Sequence, residues 1–118
     1  MKTVLIVDDQ PHILMVLKDF LKDFNCLKAE SVKKAIEVFY SNYIDLILTD
    51  YQMPEESGLV LIKKIKETNE NIPILLFSGY LVDDEASFLL NTFPKIDFIH
   101  KPFDLEELRT RIDNLLKD

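Results

Sequence analysis

The chain has 118 residues, with Lys+Arg 14 against Asp+Glu 21, a formal net charge of -7 and 47% hydrophobic residues. That length suits one buried core, and the apolar-to-charged balance is that of a folded chain rather than a disordered one. An acidic surface repels nucleic-acid phosphates and anionic lipid, which argues against direct DNA or membrane-surface binding.

Taken in chain order, Val4 to Val7 is a continuous apolar run closed by Asp8 and Asp9. It is too short for the apolar segment of a signal peptide or for the roughly 20 residues of a membrane span, and it reads as a strand covered on both faces. Pro11 suits a first helical turn, and Ile13, Leu17, Phe20, Leu21 and Phe24 predict one helical face. Cys26 to Ala29 is a weaker strand. Cys26 is the one cysteine; it precludes an internal disulfide, fits a reducing, cytoplasmic setting and reads as a small apolar strand residue. Ser31 caps a helix carrying Val32, Ala35, Ile36 and Phe39.

A third strand, Leu46 to Leu48, leads to Asp50, and Leu59, Ile62 and Ile65 form the stripe of a third helix. Ile74 to Phe77 is a fourth strand with Ser78 at its end, followed by a helical stripe of Ala86, Leu89, Leu90 and Phe93. Ile96 to Ile99 is a weaker fifth strand leading to Lys101. Asp104 with Glu107 reads as a capping-box variant before Leu105, Leu108, Ile112 and Leu115. Gly58 and Gly79, the only glycines, both fall in segments that follow a strand. A βα unit repeated about five times predicts an α/β fold with an open parallel sheet and helices on both faces, its two weaker strands near the edges.

In such sheets ligands bind beyond the carboxyl ends of the strands, where the strand order reverses. Asp8, Asp9, Asp50, Ser78 and Lys101 all fall at that end. Each has a bland reading: a turn, a helix cap or an exposed charge before a proline. Their joint placement is what carries chemistry. Carboxylates about 4 Å apart repel by roughly 4 kcal/mol per pair at an effective dielectric near 20, so three of them together require positive charge. Mg²⁺ suits all-oxygen ligands and bridges to phosphate oxygens, and Lys101 adds a mobile cation. A carboxylate nucleophile, a metal, an ammonium and the Ser78 hydroxyl together describe a phosphoryl acceptor.

At Val4-Leu5-Ile6-Val7-Asp8-Asp9, Asp50-Tyr51-Gln52-Met53-Pro54 with Gly58, Ser78-Gly79, and Phe98-Ile99-His100-Lys101-Pro102-Phe103, the sequence resembles the response-regulator receiver domains of two-component signalling. The resemblance covers residues 1–118 as a single receiver domain. It implies a flavodoxin-like, doubly wound five-stranded sheet of order 2-1-3-4-5, with Asp50 as the phosphorylation site. It further implies Mg²⁺ held by Asp9, Asp50 and the Gln52 backbone carbonyl, with Asp8 acting through water. Ser78 and Lys101 would bind phosphoryl oxygens, Phe98 would be an aromatic switch coupled to Ser78, and the Lys101–Pro102 peptide would be cis.

The implied partners are a histidine kinase or histidine phosphotransfer protein, an output domain or downstream protein, and a second copy through the face of the fourth helix, fifth strand and fifth helix. The implied role is a switch that assists its own phosphorylation and dephosphorylation rather than an enzyme. The sequence departs from the family at Glu56, Ser57 and Lys95-Ile96-Asp97, and Gln52 and Tyr80 occupy variable positions that influence the lifetime of the phosphorylated form. A pseudo-receiver that binds partners without phosphorylation is the alternative, disfavoured by the complete acidic set. A haloacid-dehalogenase-type phosphatase would need Asp-x-Asp on the first strand, where this chain has Asp8-Asp9-Gln10. A flavin-binding domain would need a Ser/Thr/Gly-rich loop there. His12 and His100 are read as surface residues, Met53 as loop packing, and Phe93 and Phe103 as core.

Overall fold

The computed structural model describes residues 1–79 and 83–117; Tyr80 lies outside them. Strands β1 (Thr3–Val7), β2 (Asn25–Ala29), β3 (Leu46–Asp50), β4 (Ile74–Ser78) and β5 (Ile96–His100) alternate with helices α1 (Pro11–Phe20), α2 (Val32–Ser41), α3 (Gly58–Thr68), α4 (Asp84–Thr92) and α5 (Leu105–Leu116). All pairings are parallel, and the sheet order is β2-β1-β3-β4-β5. The two strands with the weakest apolar runs are therefore the edges, where burial on both faces is not required.

Alternation along the strands builds two cores. Leu5, Val7, Ile47, Ile74 and Leu76 pack with Val32 and Ala35 of α2, Leu59, Ile62 and Ile65 of α3, and Ala86 and Leu89 of α4. Val4, Ile6, Leu46, Leu48, Leu75, Phe77 and Ile99 pack with Leu14 and Leu17 of α1 and Leu108 and Ile112 of α5.

The caps follow the sequence. Ser31 accepts from the Lys34 amide and Asp104 from the Glu107 amide. Two expectations are corrected. α1 stops at Phe20, with the Leu21 amide closing on the Leu17 carbonyl. Phe24 sits in the following turn, because Asn25 must already pair with Lys2 to begin β2; its ring lies under the Arg109 guanidinium at 4.9 Å. Leu105 is 39% exposed at the start of α5, while the helix buries Leu108 and Ile112.

Lys66 of α3 also departs from pattern. It lies in a helix with Lys63 and Lys64, yet it is only 2% exposed. Its Nζ donates to the carbonyls of Glu70 at 2.8 Å, Ile72 at 2.6 Å and Pro94 at 2.6 Å, tying the end of α3 to the α4–β5 connection. Burial, reinforced by Lys95, pushes its ammonium down to about 8; the carbonyl dipoles are what keep a charge tolerable there. Lys66→Ala removes the packed stem and all these donors, so we expect a loss of about 3 kcal/mol in urea unfolding. A loss below about 0.5 kcal/mol would show that the tie is not structural. Among the described residues, no helix is long and apolar enough to cross a membrane.

Candidate functional site

Parallel strands put every strand's carboxyl end at one edge, and the order reverses between β1 and β3. Asp8 continues the Val4–Ile6 row and Asp50 the Leu46–Leu48 row, so both carboxylates emerge on the α1/α5 side of that crevice. Lys101 continues the Ile99 row on the same side, with its Nζ 3.3 Å from Asp50 Oδ1 and 5.8 Å from the centre of the Phe77 ring. The Lys101 amide donates to the Ser78 carbonyl at 2.7 Å, and the Lys101–Pro102 peptide is cis. Ser78 lies on the opposite row at the end of β4, 1% exposed. Asp8, Asp9, Asp50 and Lys101 thus share one crevice, with Ser78 at the same end of the sheet.

Carboxylate oxygens of Asp8, Asp9 and Asp50 lie within 4.8 Å of one another. Asp8 is fully buried. Its Oδ1 accepts the Gln10 amide at 2.9 Å, and its Oδ2 is a buried atom with no hydrogen-bond partner among the described residues. Burial pushes the Asp8 carboxyl up, opposed by the Gln10 amide and reinforced by the charge of Asp50. A buried anionic oxygen without a donor is costly unless a cation meets it. An all-oxygen donor set of this kind fits a hard divalent ion rather than a soft one.

The other anticipated residues are placed less centrally. Gln52 is exposed, two residues beyond Asp50. Phe98 is half-buried on β5, packed against the α2/α3/α4 core and 6.1 Å from the His100 ring. His12 and His100 are exposed, and Met53, Phe93 and Phe103 are half-buried. Phe103 meets Phe77 at 5.7 Å.

Sequence reasoning gave no structural role to three neighbours of Asp50. Thr49 is buried, and its hydroxyl donates to the Asp50 carbonyl at 3.1 Å. Gly58 opens α3 against the same carbonyl: a Cβ there would lie 2.1 Å from the Asp50 carbonyl oxygen. Its amide donates to the Tyr51 carbonyl at 2.7 Å, closing the loop after Asp50. The Tyr51 hydroxyl donates to Asp83 Oδ2; holding that hydrogen bond beside a carboxylate pushes the phenol up to about 12.

Comparison with known proteins agrees with this geometry. Residues 4–113 match the model of the response regulator receiver domain. The chain is 37% identical to the sensor histidine kinase TmoS of Ectopseudomonas mendocina, over 96% of this chain and 12% of TmoS. It is 32% identical to the heme response regulator HssR of Staphylococcus saprophyticus, over 99% of this chain and 52% of HssR. The chain thus spans about half or less of these curated relatives. Among solved structures, the response regulator TrrA of Thermotoga maritima, in complex with Mg²⁺-BeF, is 30% identical with a TM-score of 0.86, covering 98% of this chain and 100% of that one. With its sheet order, its acidic crevice and its sequence all in agreement, the chain belongs to the response regulator receiver domain family of two-component signalling.

Proposed function

We propose that Asp50 accepts a phosphoryl group from a phosphohistidine on a sensor kinase or phosphotransfer protein. The observation that carries this reading is the Lys101 ammonium 3.3 Å from Asp50, beside a carboxylate cluster that holds an unpartnered buried oxygen of Asp8. Asp8, Asp9, Asp50 and the Gln52 carbonyl are the residues that would hold Mg²⁺, with Asp8 acting mainly through water. When bound, the ion supplies the positive charge that lets these carboxylates share the crevice with phosphoryl oxygens.

The Asp50 carboxylate attacks phosphorus in line, the phosphorus–nitrogen bond to the donor histidine breaks, and its electron pair stays on the imidazole. Little covalent work falls to the protein, so positioning and charge dominate. Lys101 neutralises one phosphoryl oxygen, and the Ser78 hydroxyl donates to another. Drawing Ser78 toward the phosphoryl group opens space into which Phe98 turns, biasing two conformations of the α4–β5–α5 face. Moving a population from 1:99 to 99:1 takes about 5.5 kcal/mol. Charge-assisted bonds of about 1.5–3 kcal/mol each make a few new contacts sufficient.

We read residues 1–118 as one receiver unit working in the cytoplasm, with that face engaging an output domain, a downstream protein or a second copy. The complete set of Asp8, Asp9, Asp50, Ser78 and Lys101 weighs against a pseudo-receiver. Incubation with acetyl phosphate and MgCl₂ should add one phosphoryl group by intact mass, and EDTA should prevent it. Labelling indifferent to EDTA would contradict the metal's role.

A further inference from the structure

Resting on the receiver reading, we propose that Tyr51 is a positioning residue of the switch: its hydroxyl, bonded to Asp83, ties the first turn of α4 to the backbone beside Asp50, so that this turn registers events at Asp50.

Tyr51 directly follows the acceptor, and its backbone is fixed on two sides. Its amide donates to the Phe77 carbonyl of β4 at 2.8 Å, and its carbonyl accepts the Gly58 amide at 2.7 Å. Its ring packs against the α2/α3/α4 core, a role phenylalanine would fill equally well. The hydroxyl serves a separate purpose, reaching Asp83, 32 residues further along the chain.

Asp83 is the N-cap of α4, and it has two oxygens to share. Oδ1 accepts the Ala86 amide at 2.8 Å, while Oδ2 accepts the Tyr51 hydroxyl; the Asp83 carbonyl accepts the Ser87 amide at 2.9 Å. Capping alone needs one side-chain oxygen, so the bond to Tyr51 goes beyond what the helix end requires. A hydrogen bond to an ionised acceptor is among the stronger kinds. Any displacement of the Asp50–Tyr51 backbone is thereby passed to the residue that closes the first turn of α4.

The test is amide NMR of the full chain with MgCl₂, with and without beryllofluoride as the phosphoryl mimic. In the wild type, we expect shifts at Asp9, Asp50 and Lys101 and also at Ala86 and Ser87. Tyr51→Phe should keep the first group and reduce the second to about a third of its wild-type size. Asp83→Ser keeps a capping oxygen but is too short to reach the phenol, and should show the same loss. Asp83→Asn, which keeps both the cap and a polar partner for the hydroxyl, should restore the response. A full wild-type response at Ala86 and Ser87 in Tyr51→Phe, with the site shifts present, would overturn this proposal alone. Absence of site shifts in the wild type itself would overturn the receiver reading and this proposal with it.

Discussion

Replacing Gly58 with alanine should destabilise the protein by about 3 kcal/mol or more in urea unfolding and should impair phosphorylation together with stability. The added Cβ would sit 2.1 Å from the Asp50 carbonyl oxygen, 3.2 Å from the carbonyl carbon and 3.3 Å from the Thr49 hydroxyl oxygen. The nearest of these atoms are backbone, so the clash cannot be relieved by a rotamer change. Either α3 backs away from the sheet, exposing part of the Leu59, Ile62 and Ile65 stripe, or the Asp50 peptide moves. The first outcome costs burial, and the second misplaces the Asp50 carboxylate against Lys101. The effect is steric, since Gly58 has no left-handed φ. Gly79 is the internal control: a Cβ there meets nothing within 4 Å among the described residues, so Gly79→Ala should stay within about 0.5 kcal/mol of the wild type. Equal effects at the two glycines would refute this account of the Asp50–α3 contact.

Asp8→Asn should move stability the other way. In the metal-free protein this substitution removes a buried charge whose Oδ2 has no hydrogen-bond partner and which faces the charges of Asp50 and Asp9. We expect a gain of about 1–2 kcal/mol in metal-free unfolding, together with loss of most of the stabilisation that MgCl₂ gives the wild type. On this reading the Asp8 charge costs the fold stability in the absence of a cation.

The pH dependence follows with a definite sign. Burial raises the folded-state pKa of Asp8 above 3.8, so the folded chain holds that proton more tightly than the unfolded one. The wild type gains from this as pH falls through the folded pKa, the gain is complete below 3.8, and it is lost as pH rises. The advantage of Asp8→Asn should accordingly be largest at neutral pH and shrink in acid. A variant less stable than the wild type in EDTA at neutral pH would contradict the electrostatic reading of the crevice.

The regular parts of the fold were legible because they rest on local rules. Apolar runs ending in Asp8-Asp9, Asp50 and Ser78 mark the strand ends, and Ser31 and Asp104 announce their helices through capping chemistry. Once the strands are taken as parallel, topology alone brings Asp8, Asp9, Asp50, Ser78 and Lys101 to one edge, which is why the crevice could be anticipated. What stayed hidden depends on contacts between distant segments. Lys66 reads as a solvated helix charge beside Lys63 and Lys64, and only the approach of the α4–β5 connection buries it. Tyr51 and Asp83 each look like an ordinary loop or cap residue, and nothing in either local sequence announces the bond between them. The signal for Gly58 was present, a glycine opening a helical stripe where most residues favour the helix better. Its reason, the Asp50 carbonyl against it, is tertiary. Leu105 and Phe24 erred for a related cause: periodicity marks a face but not where the helix stops or which end of it meets the sheet.

The most direct test of the central claim is where the phosphoryl group goes. Wild-type protein and Asp50→Asn, each incubated with acetyl phosphate and MgCl₂, should differ by intact mass, with one added phosphoryl group on the wild type and none on the variant. Peptide mapping should place the wild-type label on the segment containing Asp50. Equal labelling of the two proteins, or a label mapped to another residue, would contradict the assignment of Asp50 as the acceptor.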